Sequence, residues 1–196
     1  MKMKKNFLVF LIYFLSINNS HSIEPDIFVQ STVNRASKIL MDNNSKEKKI
    51  QELQIIAKET VDIKGIGFYT LGSARKNLNS EQKEKNAELF EKYFLKSFAS
   101  RLAEYTNPEI DVLGKEVLSD KYTIVNSLLK GTNERPEVKI DWRIYTKNPN
   151  NPLIRDLIIE GLSLARTQKE EFSSILNSNQ NDINVLFKTL EDFSKQ

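Results

Sequence analysis

The sequence contains no cysteine and only one histidine, His21. His21 lies in an N-terminal segment that we expect to be removed on secretion, so the mature chain would keep neither a thiol nor an imidazole. Such a chain cannot form a disulfide, a metal site of cysteine and histidine ligands, or a catalytic group that depends on either residue. The sequence also has no Gly-rich phosphate loop and no serine-protease-like triad. Enzymes that depend on a thiol nucleophile or an imidazole base are therefore not expected.

Only one long apolar run is present, and it lies at the N-terminus. The run Phe7–Ile17 (FLVFLIYFLSI) has 11 residues, follows three lysines and precedes the polar stretch Asn18–Ser22. This order is typical of a secretory signal peptide, and the small residues at positions 20 and 22 suit a signal peptidase. A retained membrane anchor would need about 20 apolar residues. We therefore predict that residues 1–22 are a signal peptide cleaved before Ile23, and that residues 23–196 form a single secreted domain.

Cleavage would also change the net charge of the protein. The signal segment takes three lysines and no acidic residue out of a total of 29 basic and 26 acidic residues. The mature chain then has 26 residues of each sign and a formal net charge of zero. A neutral chain gives no reason to expect nucleic acid as a partner, and little reason to expect adhesion to anionic lipid by charge alone.

Apolar periodicity predicts helices at both ends of the mature chain and strands between them. Helices are predicted from Pro25, over Ser45–Thr60, over Val61–Leu71, from Asn79 or Ser80 to Tyr105, over Ser163–Leu176 and over Asp182–Phe193. Strands are predicted over Glu109–Leu118, Lys121–Leu129, Val138–Tyr145 and Leu153–Ile159, with a tight Glu160-Gly161 turn after the last. The short links imply an antiparallel sheet of about four strands. The predicted class is α+β, with several helices packed on one sheet face.

The longest predicted helix carries a row of aromatic side chains. Asn79 can cap this helix, and Gln82 stands where a capping box requires a glutamine or glutamate. Apolar residues then recur every three or four positions, which makes one continuous face: Ala87, Phe90, Phe94, Phe98, Leu102 and Tyr105. Tyr93 adds a fifth ring on or beside this face. Such a wall of rings is expected to line either a solid core or a cavity.

Two aspartates are candidates for general acid and base in an enzyme. Asp141 and Asp156 are predicted to lie on neighbouring strands of a fold that can host an isomerase or a dehydratase. Asp141 shares its strand face with Lys139 and Arg143, however, which is the pattern of a solvated ladder of mixed charge. A related-fold enzyme or a helical adaptor that binds a small apolar ligand therefore remains as the alternative function.

Four segments in the right order and spacing resemble one protein family. The quoted segments are PDIFVQSTVNRASKIL, VDIKGIGFYTLG, NLNSEQKEKNAELFEKYFLKSFASRLAEY, and DLIIEGLSLARTQKEEFSSIL followed by Asn181–Leu190. Together they are similar to the MlaC family of periplasmic phospholipid-binding proteins, also called toluene-tolerance auxiliary components of ABC transporters. The likeness covers nearly the whole mature chain.

The resemblance implies a function in lipid transport without catalysis, cofactor or metal. In this family the helices and a curved antiparallel sheet enclose an apolar cavity, in which phospholipid acyl tails insert while the headgroup stays in water. It implies a carrier that moves phospholipid between an outer-membrane MlaA-like lipoprotein–porin complex and an inner-membrane MlaD-like MCE protein of an ABC transporter. Such transport maintains the lipid asymmetry of the outer membrane.

We expect the tail cavity to be lined by apolar residues of the long helix, the sheet, the turn and the next helix. These residues are Phe90, Phe94, Phe98, Tyr105, Ile124, Ile140, Trp142, Ile158, Leu162, Leu164, Phe172 and Ile175. Tyr105 and Leu162 rank first, because they stand at positions that match the family's pocket motifs. A charged residue at Leu162 is expected to block lipid loading and to leave the fold intact.

Overall fold

The computed structural model describes residues 22–133 and 135–195, so the predicted signal peptide lies almost entirely outside the described residues. The α-helices are α1 (Pro25–Met41), α2 (Lys46–Thr60), α3 (Ile63–Thr70), α4 (Ser80–Leu102), α5 (Leu164–Ser178) and α6 (Ile183–Lys195), with a 3₁₀ turn at Ala74–Lys76. The strands are β1 (Ile110–Ser119), β2 (Tyr122–Leu129), β3 (Val138–Tyr145), β4 (Leu153–Ile159) and β5 (Leu162–Ser163). The α+β class predicted from the sequence is confirmed.

The strands form one antiparallel sheet in the order β1-β2-β3-β4-β5. The sequence predicted about four strands, and the fifth is the two-residue β5. Glu160 and Gly161 have φ angles of +48° and +82°, which suit a two-residue hairpin turn with both central residues at positive φ. This turn folds Leu162 and Ser163 back onto the end of β4 before α5 begins.

The helix starts follow the capping signals in the sequence. Asn79 Oδ1 accepts a hydrogen bond from the Gln82 backbone N–H at 2.8 Å, and Gln82 Oε1 accepts one from the Asn79 N–H at 3.1 Å, so the predicted capping box of α4 is present. Ser45 caps α2 and Ser163 caps α5 with their side-chain oxygens. The predicted end of the long helix was wrong: α4 stops at Leu102, three residues before Tyr105.

The core lies between one face of the sheet and the helices. Val125, Trp142 and Ile144 point from this face, here called the inner face, into a cluster that also contains buried residues of α1, α3, α4, α5 and α6. Inside the cluster the Trp142 indole Nε1–H donates to Ser127 Oγ at 2.8 Å, and Ser127 Oγ donates to the Ile140 carbonyl at 2.9 Å. Within the described residues no helix is both long enough and apolar enough to cross a membrane.

Replacement of Ser127 by alanine is expected to destabilise the fold by about 1–3 kcal/mol. The substitution leaves the buried indole N–H of Trp142 without its acceptor, since Ser127 is fully buried. Chemical denaturation followed by tryptophan fluorescence measures the change. Ser174→Ala is the matched control, because Ser174 is exposed on α5 and should change stability by no more than about 0.5 kcal/mol. Equal stability of the two variants would contradict the role given to Ser127.

Candidate functional site

A row of phenylalanine rings runs along α4 at intervals of one helical turn. The Phe90 and Phe94 ring centroids are 6.1 Å apart, and those of Phe94 and Phe98 are 5.3 Å apart with the ring planes within 13° of parallel. Phe90 is only 1% exposed, whereas Phe94 and Phe98 are partly buried. The row, defined here as Phe90, Phe94 and Phe98, therefore has a closed end at Phe90 and becomes more accessible toward the C-terminus of α4.

The closed end of the row is fixed by contacts with α3 and α5. Phe90 meets Phe172 of α5 edge to face, with ring centroids 6.2 Å apart. A Cβ atom at Gly67 of α3 would lie 2.7 Å from Phe90 Cδ1, so only glycine lets the ring pack this closely on α3. Tyr93 contacts Phe172 as well, and its hydroxyl donates to Gln168 Oε1 at 2.7 Å. Burial raises the pKa of the Tyr93 hydroxyl, which therefore stays neutral and a hydrogen-bond donor.

The sheet residues predicted to line the cavity fall on two different faces. Ile140 and Trp142 are buried in the core cluster, so they lie on the same side of the sheet as the ring row. Ile124 pairs with Glu116 and Arg143, and Ile158 pairs with Asp141 and Ser163. Because side chains alternate along a strand, these two isoleucines project from the face opposite to the inner face. Phe172 and Ile175 of α5 lie with the core, Phe172 within it and Ile175 packed against it.

Leu162 lies on the inner face at one end of the sheet. It pairs directly with Ile159, which in turn pairs with the inner-face residue Ile140. Residues directly opposite one another share a face, yet Leu162 is 59% exposed. Leu164, the first residue of α5, is also exposed. The helices therefore leave the inner face partly uncovered at this end of the sheet.

Two cavities differ in their lining. One, of about 270 Å³, lies at the end of the sheet where β2 and β3 are joined, and its apolar wall includes Tyr105, Leu129 and Val138. The other, of about 810 Å³, is a polar groove along α5 that is lined by Arg166, Lys169 and several serines and contains none of the predicted lining residues. Of the 12 residues predicted for the cavity, only Tyr105 contributes to either space.

The two aspartates considered for catalysis are held by structural hydrogen bonds. Asp156 is buried and accepts hydrogen bonds from Ser163 Oγ at 2.6 Å and from the Ala165 N–H at 3.0 Å. Its carboxylate therefore fixes the start of α5, where negative charge is favourable. Asp141 accepts a hydrogen bond from Asn126 Nδ2 at 2.9 Å. Among the described residues, no three side chains of the types that bind metals come together as ligands could.

One polar residue at the closed end of the ring row was missed by the sequence analysis. Asn86 stands one helical turn before Phe90, is 1% exposed, and has neither amide oxygen nor amide nitrogen hydrogen-bonded within the described part of the chain. Buried polar groups of this kind are rare in folded proteins. Its spacing of four residues from Phe90 is the signal that could have placed it on the apolar face of α4.

Comparisons with known proteins identify the fold and the family of this chain. One solved structure, a phospholipid-binding protein from Ralstonia solanacearum in complex with a phospholipid, matches with a TM-score of 0.74 and 20% sequence identity, over 89% of this chain and 98% of that chain. At this identity the match shows a shared fold. A search of curated proteins found no match. The family model described as MlaC protein matches residues 30–192, which is most of the sequence, and the chain belongs to the MlaC family.

Proposed function

We propose that this chain is a phospholipid carrier of the periplasm. Membership of the MlaC family supports the proposal. The fold shared with the Ralstonia protein, whose structure contains a phospholipid, supports it as well. The observation that carries it is the ring row of α4, which is buried against α3 and α5 at Phe90, packs against the core cluster at Phe94 and Phe98, and is followed in the chain by the exposed Tyr105.

The physical need for such a carrier follows from the solubility of the cargo. A phospholipid with two tails has roughly 30 methylene groups, and their exposure to water would cost on the order of 20 kcal/mol at about 0.8 kcal/mol each. Unaided passage through an aqueous compartment is therefore very slow. A protein that offers comparable apolar burial removes most of this barrier, and aromatic and aliphatic side chains are the usual lining of such sites.

Loading requires the ring row to separate from part of its surroundings. The stacked rings of Phe94 and Phe98 are packed against the core, so acyl tails must take the place of existing contacts. These two rings are only partly buried, whereas Phe90 is 1% exposed and packs against both α3 and α5. Displacement is therefore expected to begin at the C-terminal half of α4 and at the uncovered end of the sheet. Docking with a partner supplies the energy for this displacement in the proposed mechanism.

The proposed route runs between the two membranes of a Gram-negative cell. The partners are an MlaA-like lipoprotein–porin complex in the outer membrane and an MlaD-like MCE protein of an ABC transporter in the inner membrane. The signal peptide would deliver the chain to the periplasm, and the neutral charge of the mature protein would keep it from binding anionic membranes by charge alone. The phospholipid is cargo in this proposal, and the protein performs no chemistry on it.

Native mass spectrometry of the protein purified from a Gram-negative periplasm tests the proposal. We expect the mature chain to carry bound mass that extracts as phospholipid. A protein of the expected mass that stays empty after incubation with phospholipid vesicles would contradict the carrier function and would favour the enzyme or adaptor alternatives.

Leu162→Asp is expected to lower bound phospholipid by at least about tenfold while the protein stays folded. The side chain is exposed on the inner face, so a charge there meets lipid tails rather than a packed core. Lipid extraction after incubation with phospholipid vesicles measures the first effect. Thermal unfolding measures the second, and a change in stability of no more than about 0.5 kcal/mol is expected.

Leu113→Asp is the matched control for this substitution. Leu113 is a leucine of β1 that is 65% exposed, and it does not belong to the predicted lining. We expect its bound lipid to equal that of the wild-type protein. Wild-type lipid content in Leu162→Asp, or an equal loss in both variants, would refute the role of Leu162.

A further inference from the structure

We propose that the 270 Å³ cavity between the α4–β1 link and the β2–β3 loop binds the phosphate group of the phospholipid, with the Arg135 guanidinium as its counter-charge. This cavity is called the mouth below, and it is lined by residues 105–109, 129–132, 135, 136 and 138. The inference rests on the proposed carrier function and gives the headgroup a definite place. It is carried by the position of the cavity, by its charge and by its size.

The mouth is continuous with the apolar core that contains the ring row. Leu129 and Val138 line the mouth, and both pack against the same core cluster as Phe94 and Phe98. Tyr105 lines it from the other side, one turn beyond the end of α4, where its N–H donates to the Leu102 carbonyl at 3.0 Å. A lipid whose tails lie along the ring row would therefore reach solvent here.

The uncovered end of the inner sheet face lies at the same end of the sheet as the mouth. Leu129 pairs with Val138 at the end of β2 and β3, and Ile140, two residues along β3, pairs with Ile159 and through it with Leu162. Exposed Leu162 and the mouth are thus at the same end of the sheet. Two separate features, an uncovered apolar face and an open cavity, mark one exit from the core.

The mouth contains two cations with different surroundings. Lys130 Nζ is 3.2 Å from Glu109 Oε2 and 3.4 Å from Asp111 Oδ2. These carboxylates raise the pKa of the lysine, which stays protonated, and their negative charges balance its positive charge. Arg135 forms no ion pair with any residue that the structure describes, and its guanidinium lies over the Tyr105 ring, 5.3 Å from the centroid. A guanidinium held on a ring face keeps its N–H edge available for the two-pronged hydrogen bonds that phosphate accepts.

The loop that carries Arg135 is held by its own backbone. The Thr132 N–H donates to the Arg135 carbonyl at 2.8 Å, which closes the turn. A Cβ atom at Gly131 would lie 2.9 Å from the Glu137 backbone nitrogen, so only glycine at position 131 lets the chain pass this close to Glu137. Arg135 is therefore presented to the mouth by a closed turn rather than by an open chain.

The size of the mouth suits a headgroup and not a whole lipid. Its volume of about 270 Å³ lies just below the roughly 300–1,000 Å³ of ordinary ligand pockets. Two acyl tails cannot fit in this space, whereas a phosphate with its ester oxygens can. The tails must then occupy the region of the ring row, as the proposed function requires.

Competition between two lipids with the same tails tests the inference. The full-length precursor is expressed, and the mature protein is purified, stripped of lipid and incubated with vesicles that contain equal amounts of dioleoyl phosphatidylglycerol and dioleoylglycerol. After re-isolation the ratio of the two bound lipids is measured. We expect Arg135→Ala to lower the ratio of phospholipid to diacylglycerol roughly tenfold, because diacylglycerol has no phosphate for the guanidinium to bind.

Three further variants separate the charge from its surroundings. Arg135→Gln keeps much of the side-chain stem and should lower the ratio as Arg135→Ala does, whereas Arg135→Lys keeps the charge and should retain most of the preference. Arg75→Ala removes an exposed arginine of the 3₁₀ turn and should keep the wild-type ratio. A wild-type ratio in both Arg135→Ala and Arg135→Gln would overturn the inference.

Two outcomes distinguish a failure of this inference from a failure of the proposed carrier function. If the wild-type protein takes up no phospholipid, the carrier function and the inference fail together; if it takes up phospholipid with a ratio that Arg135 does not influence, only the inference fails. Excess inorganic phosphate should leave the wild-type ratio unchanged, because the phosphate binds as part of a lipid anchored by its tails. A fall to the Arg135→Ala value would assign the mouth to free phosphate and overturn the headgroup proposal.

Discussion

The contact of Phe90 of α4 with α3 and α5 is the constraint on which the rest of the site depends. Its ring needs the missing side chain of Gly67 on α3, meets Phe172 of α5 edge to face, and stacks on Phe94 of its own helix. Because the first two contacts come from separate helices, they fix both the height and the rotation of α4 against α3 and α5. The positions of Phe94 and Phe98 follow from that rotation, since each is one helical turn farther along.

The opposite end of the site is less constrained. β5 has only two residues, and the chain reaches it through a turn with two consecutive positive φ angles. Leu162 is exposed there, although its strand partner Ile159 belongs to the same face as the core. Local opening at such a place breaks few buried contacts and therefore costs little free energy. The fold thus combines a fixed closed end with an end that can open at low cost.

The sequence predicted most elements because their signals are local. Caps such as Asn79 with Gln82, and the Glu160-Gly161 turn, act over three or four residues and are not overridden by tertiary contacts. The faces of β2 are harder to assign from the sequence, because Ile124 and Val125 are both apolar and both buried. The alternation of apolar and polar residues therefore does not show which of the two faces the core. The sequence predicts Ile124 in the lining together with Trp142, whereas the register pairs it with Arg143 on the face opposite to the inner face.

The C-terminal end of α4 shows a second reason why the sequence could not predict the whole site. Tyr105 continues the helical spacing of the ring row, but Asn107 adopts a positive φ of +49° and Pro108 follows it, so the chain has already turned toward β1. Tyr105 therefore leaves the helix face and joins the mouth. The contact between Tyr105 and Arg135 links residues 30 positions apart. Local sequence patterns do not predict a contact at that separation.

The polarity of the two ends determines how a lipid can enter. A headgroup that moved to the closed end would lose its water and find there the amide of Asn86 and the Tyr93 hydroxyl, which already donates to Gln168, among aromatic rings. Burial of a charge with so little compensation costs far more than a protein of ordinary stability can supply. In the proposed arrangement, tails that enter from the mouth pack on the apolar rings of Phe98 and Phe94, while the phosphate stays beside Arg135 and solvent. A tails-first orientation therefore follows from the arrangement of charge and rings, without any chemistry specific to a particular headgroup.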